Sequence, residues 1–293
     1  MPARPPTEDI RDMNYRIAAV SFLNTVPLID WFETTESASV QLMRALPSRL
    51  AALLRAGEAD VGLLPVVEIF RGHSDGVVSS SGIACDGDVD TVKLYAAGDP
   101  GDLKRVSTDR GSRTSVALLR ILLAELYGCR PDFLEAEPRA TDRPAAGEGM
   151  LVIGDRCFEF EANLREIGTT TVQAWDLGGL WRQMTGLPFV FAAWATAPGF
   201  PARVGEQAVA TLAALLDRAR DHGLENLDAL ARREAQSGQL GHQGQATAEA
   251  IAYYFRQSLC YRIGEPELAG IRLFHELCIK HGEAPAGSRP VFR

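Results

Sequence analysis

"LPSRLAALLRAGEADVGLLPVVEI", residues 46–69, decides the architecture. Ser48 can cap a short helix, Gly57 ends it, and Asp60-Val61-Gly62-Leu63-Leu64 leads straight into a strand. The same pairing occurs just upstream. The apolar run Ile17–Leu23 predicts a buried strand, and Pro27 suits the first turn of a helix through Asp30-Trp31-Phe32. Helix and strand set this close, twice over, predict α/β units around a largely parallel sheet. Between the upstream strand and helix stands Asn24, an amide at the mouth of a buried strand. It either caps the helix or faces a site.

The units continue downstream. "CDGDVDTVKLYAAGDP", residues 85–100, predicts a turn, a strand over about Thr91–Ala97 and a break at Gly98-Asp99-Pro100. Arg105–Thr108 is a further strand, leading into "DRGSRTSVALLRILLAELYGC", residues 109–129. Here Ser112 is the expected cap of a helix from Arg113 to Leu126, with Val116, Leu119, Leu122, Leu123 and Leu126 on its apolar face and Gly128 beyond it. "MLVIGDRC" predicts a strand ending at Gly154-Asp155. "WDLGGLWRQMTGLPFVFAAWA" predicts a short helix, a turn at Gly186-Leu187-Pro188 and a buried strand from Phe189 to Trp194. Beyond Pro198 the pattern is helical. Punctuation at 98–100 and 198–201 predicts two lobes, one of residues 15–98 with 196–285 and one of 99–195, behind a flexible leader at 1–14. The two chain crossings would hinge a cleft.

Composition narrows the partners. The 293 residues are 46% hydrophobic, and 30 Lys and Arg against 38 Asp and Glu give a net charge of -8. No basic stripe marks a nucleic-acid binder. No window nears the roughly 18 apolar residues of a membrane span, and the N-terminal stretch lacks the apolar core of an export signal. The 5 cysteines form no CxxC pair and read as reduced, packed thiols of a cytoplasmic protein.

Ligands of open α/β sheets collect beyond the strands' carboxyl ends. Asn24, Thr91, Ser112, Arg113, Thr114, Ser115 and Asp155 all fall at strand ends or helix starts. "GSRTS" is the strongest local signal. A helix tip offers unpaired N–H groups and partial positive charge, and this one adds three hydroxyls and a guanidinium. That suits a carboxylate or phosphate, unless Ser112 only caps and Arg113 only faces solvent. There is no GxGxxG after a strand and no P-loop. "DGDVD" resembles a calcium loop, yet Thr91 stands where its glycine belongs and no Glu closes it. The 5 histidines are scattered, and none lies between residues 74 and 221, so the middle lobe supplies no imidazole base. Trp175, Trp181 and Trp194 are expected as packing. No metal and no cofactor are expected.

The blocks "VSFLNTVPL", "LRAGEADVGLLPVVE", "CDGDVDTVKLY", "GSRTSVALLRILLAELYG", "VIGD" and "DLGGLWRQMTGLPFVFAAWA" resemble, in this order, the chorismate dehydratases of the futalosine route to menaquinone. The resemblance spans about residues 15–200, with a helical tail to about 280. It implies a type II periplasmic-binding-protein fold in a cytoplasmic enzyme that removes water from chorismate, a dianion, to give 3-(1-carboxyvinyloxy)benzoate. By resemblance the catalytic amide falls on Asn24 and the catalytic hydroxyl on Thr91. The family usually has serine there; threonine keeps the hydroxyl and adds a methyl group. Ser112 to Ser115 would hold a carboxylate. Asp155 would touch the substrate hydroxyl or merely end its strand. The sister dihydroxynaphthoate synthases share the fold but lean on a cleft histidine, and a non-catalytic cytoplasmic receptor for a small carboxylate is the other alternative.

Overall fold

The computed structural model describes residues 14–35, 40–167, 171–237 and 246–292. The leader expected at 1–14 lies outside these apart from Asn14, as does His242. In chain order the strands are β1 (Tyr15–Val20), β2 (Val40–Ala45), β3 (Val61–Pro65), β4 (Gly76–Cys85), β5 (Val92–Ala96), β6 (Arg105–Asp109), β7 (Asp132–Ala136), β8 (Glu148–Ile153), β9 (Gln173–Asp176), β10 (Phe189–Thr196) and β11 (Cys260–Arg262). The helices are α1 (Val26–Thr34), α2 (Pro47–Arg55), α3 (Val66–Phe70), α4 (Thr114–Tyr127), α5 (Arg156–Ile167), α6 (Leu177–Thr185), α7 (Phe200–Val204), α8 (Glu206–Glu225), α9 (Leu227–Ser237), α10 (Ala248–Tyr253) and α11 (Glu265–Lys280).

Among the described residues the strands form a six-stranded sheet, β11-β4-β10-β3-β1-β2, and a five-stranded sheet, β7-β6-β8-β5-β9. The opening stretch folds as α2 and β3, although α2 starts at Pro47 behind Leu46, with Ser48 inside it rather than capping it. β1 runs parallel to β2 and β3, as the α/β units require. The sheets are mixed rather than largely parallel: β10 is antiparallel to β3 and β4, and β5 to β8 and β9. The physical reason is the crossing. A strand that follows a crossing enters its sheet from the cleft end, opposite to strands that exit there.

The chain passes between the sheets at 86–91 and 177–188, not at the punctuation marks 98–100 and 198–201. β5 therefore belongs with the second sheet and β10 with the first. The two passages touch. A Cβ on Gly178 would stand 2.4 Å from the Gly87 carbonyl oxygen, and one on Gly179 2.0 Å from an Asp88 oxygen, so "LGG" is a close-approach site. Asp176 binds the passages together. Its carboxylate accepts from the N–H groups of Val89 (2.9 Å), Asp90 (2.7 Å), Gly178 (2.9 Å) and Gly179 (3.3 Å).

β10 is buried at every position. α4 is buried more widely than a one-faced helix: Ala117, Leu118, Leu119, Ile121, Leu122 and Leu123 are inside, while Leu126 is 37% exposed. It packs on α3, α6, α11 and β10, and such a helix has no wholly wet side.

Candidate functional site

The strands β1, β2, β3, β6 and β8 all end at one place, and a narrow pocket lies there. Asn24, Thr91, Ser112, Arg113, Thr114 and Ser115 line it, against apolar walls that include Phe22, Ile83, Ile153 and Phe191. A few convergent polar groups among apolar walls suit a small organic molecule. Six of the seven candidate residues thus meet at one cavity. Asp155 is not on its wall.

Asn24 sits in a one-turn 3-10 segment, Leu23–Thr25, between β1 and α1. It does not cap α1. The Thr25 hydroxyl donates to its amide oxygen at 3.2 Å. The turn is tied to the other half of the molecule, because the Asp155 carboxylate accepts from the Leu23 N–H at 3.1 and 3.3 Å. Burial pushes Asp155 up to about 6. Phe22 covers Gly154, where a Cβ would meet its ring at 3.1 Å.

At the tip of α4 Ser112 is not the cap. Arg113 occupies the cap position without a side-chain bond, and the Ser112 oxygen is buried with no hydrogen-bond partner. A buried orphan hydroxyl on a pocket wall marks a place for a ligand atom. Among the described residues no carboxylate pairs with Arg113, whereas Arg71, Arg156 and Arg203 each pair with an acid. Thr114 is already committed: its hydroxyl donates to the Phe191 carbonyl at 3.0 Å. It joins the helix tip to β10.

Thr91 is fully buried, one residue before β5. Its oxygen lies 2.6 Å from the Tyr254 hydroxyl and 3.5 Å from the Val89 carbonyl. Asp90 has a φ of 64°, the left-handed conformation, and turns its carboxylate to the Ser258 hydroxyl at 2.5 Å. Asp90 also lies 3.5 Å from the Lys93 ammonium. Asp88 lies against Gly179. Both acids therefore serve the passage and do not contact the Thr91 hydroxyl. Tyr254 and Ser258 bound a short π-helical turn, Tyr254–Ser258. Sequence reasoning missed Tyr254: it lies 163 positions from Thr91, and no local pattern announces a tyrosine whose partner is tertiary.

A family model described as menaquinone biosynthesis matches residues 15–280. The chain belongs to that menaquinone-biosynthesis family. A chorismate dehydratase from Thermus thermophilus is 30% identical over 274 residues, covering 89% of this chain and 94% of its relative. Solved structures share the fold at low identity. The alkanesulfonate-binding protein SsuA from Xanthomonas axonopodis pv. citri has a TM-score of 0.65 at 13% identity, over 94% of this chain and 95% of that one. The periplasmic aliphatic sulphonate binding protein SsuA from Escherichia coli has a TM-score of 0.60 at 16% identity, over 95% and 93%. The family member described here thus has the α/β, two-lobed fold of the periplasmic binding proteins. Among its described residues no helix is long and apolar enough to cross a membrane.

Proposed function

We propose that the protein is a chorismate dehydratase, a hydro-lyase of menaquinone biosynthesis working in the cytoplasm. The observation that carries this reading is the meeting of Asn24 and Thr91 with the unpaired Arg113 at one apolar-walled pocket. The Thermus relative points to the same substrate.

Chorismate loses its C3 proton and C4 hydroxyl as one molecule of water, and the ring becomes aromatic. Aromatisation supplies the driving force. The protein's task is to hold a dianion in one pose and assist two proton movements. Arg113, the Ser112 hydroxyl, Ser115 and the first N–H groups of α4 take a carboxylate. Thr114 contributes its N–H to that tip, its hydroxyl being committed. Asn24 orients the departing hydroxyl or the enolpyruvyl group, and Thr91 donates a hydrogen bond toward the departing oxygen. An alcohol is a poor base, so the substrate's own enolpyruvyl carboxylate accepts the C3 proton. Asp155 orients the Asn24 turn through Leu23 rather than touching substrate. Among the described residues no histidine lines the pocket, which counts against the histidine-dependent sister reaction.

The test is incubation of the purified protein with chorismate, followed by absorbance and mass. Release of 3-(1-carboxyvinyloxy)benzoate is expected. Chorismate that binds and is never consumed would identify a receptor instead.

A further inference from the structure

We infer that Tyr254 is a positioning residue for Thr91: its hydroxyl donates to the Thr91 oxygen and leaves the Thr91 hydrogen directed at the pocket. The inference rests on Thr91 acting as proposed above.

Hydrogen-bond accounting sets the direction. The two oxygens are 2.6 Å apart, a full-strength O–H···O contact, and either could donate. Among the described residues the Tyr254 hydroxyl has no other hydrogen-bond partner, and the side chain is 1% exposed. If Thr91 donated, the phenolic hydrogen would be buried without an acceptor, which is the costlier arrangement. If Tyr254 donates, the buried phenol is served. The Thr91 hydrogen then has only the distant Val89 carbonyl at 3.5 Å and turns readily to a ligand. Burial raises the Tyr254 phenol well above its ordinary range, so it stays a donor across the working pH. A hydroxyl that accepts one hydrogen bond also donates the next more strongly.

The grip has a second point. One π-helical turn places Tyr254 against Thr91 and Ser258 against Asp90 at 2.5 Å, so consecutive residues of the first passage are held from the C-terminal segment. Asp90 is the left-handed residue that aims Thr91, and π turns recur at functional sites. Threonine is stiff about χ1, so an external hydrogen bond selects its rotamer as well as its donor direction.

The experiment compares the intact wild-type chain with Tyr254→Phe, Thr91→Val and the double variant, measuring kcat and KM for chorismate and the thermal midpoint of each. Loss of one hydrogen bond, about 1.4 kcal/mol, should lower kcat about 10-fold in Tyr254→Phe. KM should stay within about 2-fold, because the phenol does not touch substrate. The double variant should be no slower than Thr91→Val alone, since Tyr254 acts only through the missing hydroxyl. An unchanged kcat in Tyr254→Phe, or losses that multiply in the double variant, would overturn the inference. A purely structural tyrosine would lower the thermal midpoint and give multiplying losses. Should Tyr254→Phe not fold, Ser258→Ala releases Asp90 from the same turn: a smaller fall in kcat at constant KM supports the grip, and an unchanged kcat overturns it. An inactive wild-type chain overturns the functional reading and this inference together. An active one with independent variants overturns the inference alone.

Discussion

Asn24, beyond β1, and Thr91, just before β5, are neutral, and each is held by a protein hydroxyl, that of Thr25 or Tyr254. On the second-sheet side, the α4 tip brings an unpaired guanidinium and the orphan hydroxyl of Ser112. One wall is already engaged and aimed. The other is uncommitted and awaits charge. A neutral group that is rigidly held favours one geometry of reaction, while an unpaired cation favours arrival of any anion of suitable shape. The walls should therefore separate in kinetics, the first acting on turnover and the second on capture.

Thr91→Val tests the separation most severely. General acid–base assistance contributes ~10²–10⁴-fold, so kcat should fall by that order with little change in KM. A change in KM alone would merge the two walls. Asn24→Ala should lower kcat by about 10²-fold, at the lower end of the same range. Arg113→Ala should do the reverse. Loss of a charge-assisted hydrogen bond, about 1.5–3 kcal/mol, raises KM by roughly 10- to 100-fold and leaves kcat nearer its original value. These three sets of kinetic constants can be measured on one preparation of chorismate.

Away from the walls, Gly178→Ala pushes a methyl group against the Gly87 carbonyl oxygen and should lower the thermal midpoint. Overpacking of this kind costs about 1–3 kcal/mol, or several degrees for a chain of this size. The smallest effect is in the pH dependence of stability. Asp155 and Asp176 both titrate near 6 in the folded protein because burial disfavours their charged forms. A carboxyl raised above its ordinary 3.8 binds its proton more tightly when folded. Its contribution is therefore most favourable at the acid side and declines as pH rises from about 4 to about 6. Asp155→Asn should make that decline shallower, as read from denaturation midpoints across the window.

The α/β units, the α4 helix and the crowd of polar residues at strand ends were readable because each rests on local chemistry: an apolar run, a glycine stop, a proline start. The passages lie away from the Pro and Gly marks for an equally physical reason. Gly98 and Pro100 punctuate strongly, but sheet membership depends on which partner edge a strand meets, and β5 and β10 carry no local mark of that. Ser112 has the composition of a cap, yet the backbone enters α4 one residue later and leaves its hydroxyl to the pocket. Asp155 lies near the site as its position at a strand end suggests, but its target is an N–H group 132 residues away. The Tyr254 contact is of the same kind, made by tertiary folding alone.

Asp176 gathers four amide hydrogens, two from each ribbon of chain that joins the halves. Two ribbons pinned at a common point behave as one axle. Sliding one ribbon past the other would strip those hydrogens of their acceptor, so the join between the halves keeps its shape as long as that carboxylate stays in place.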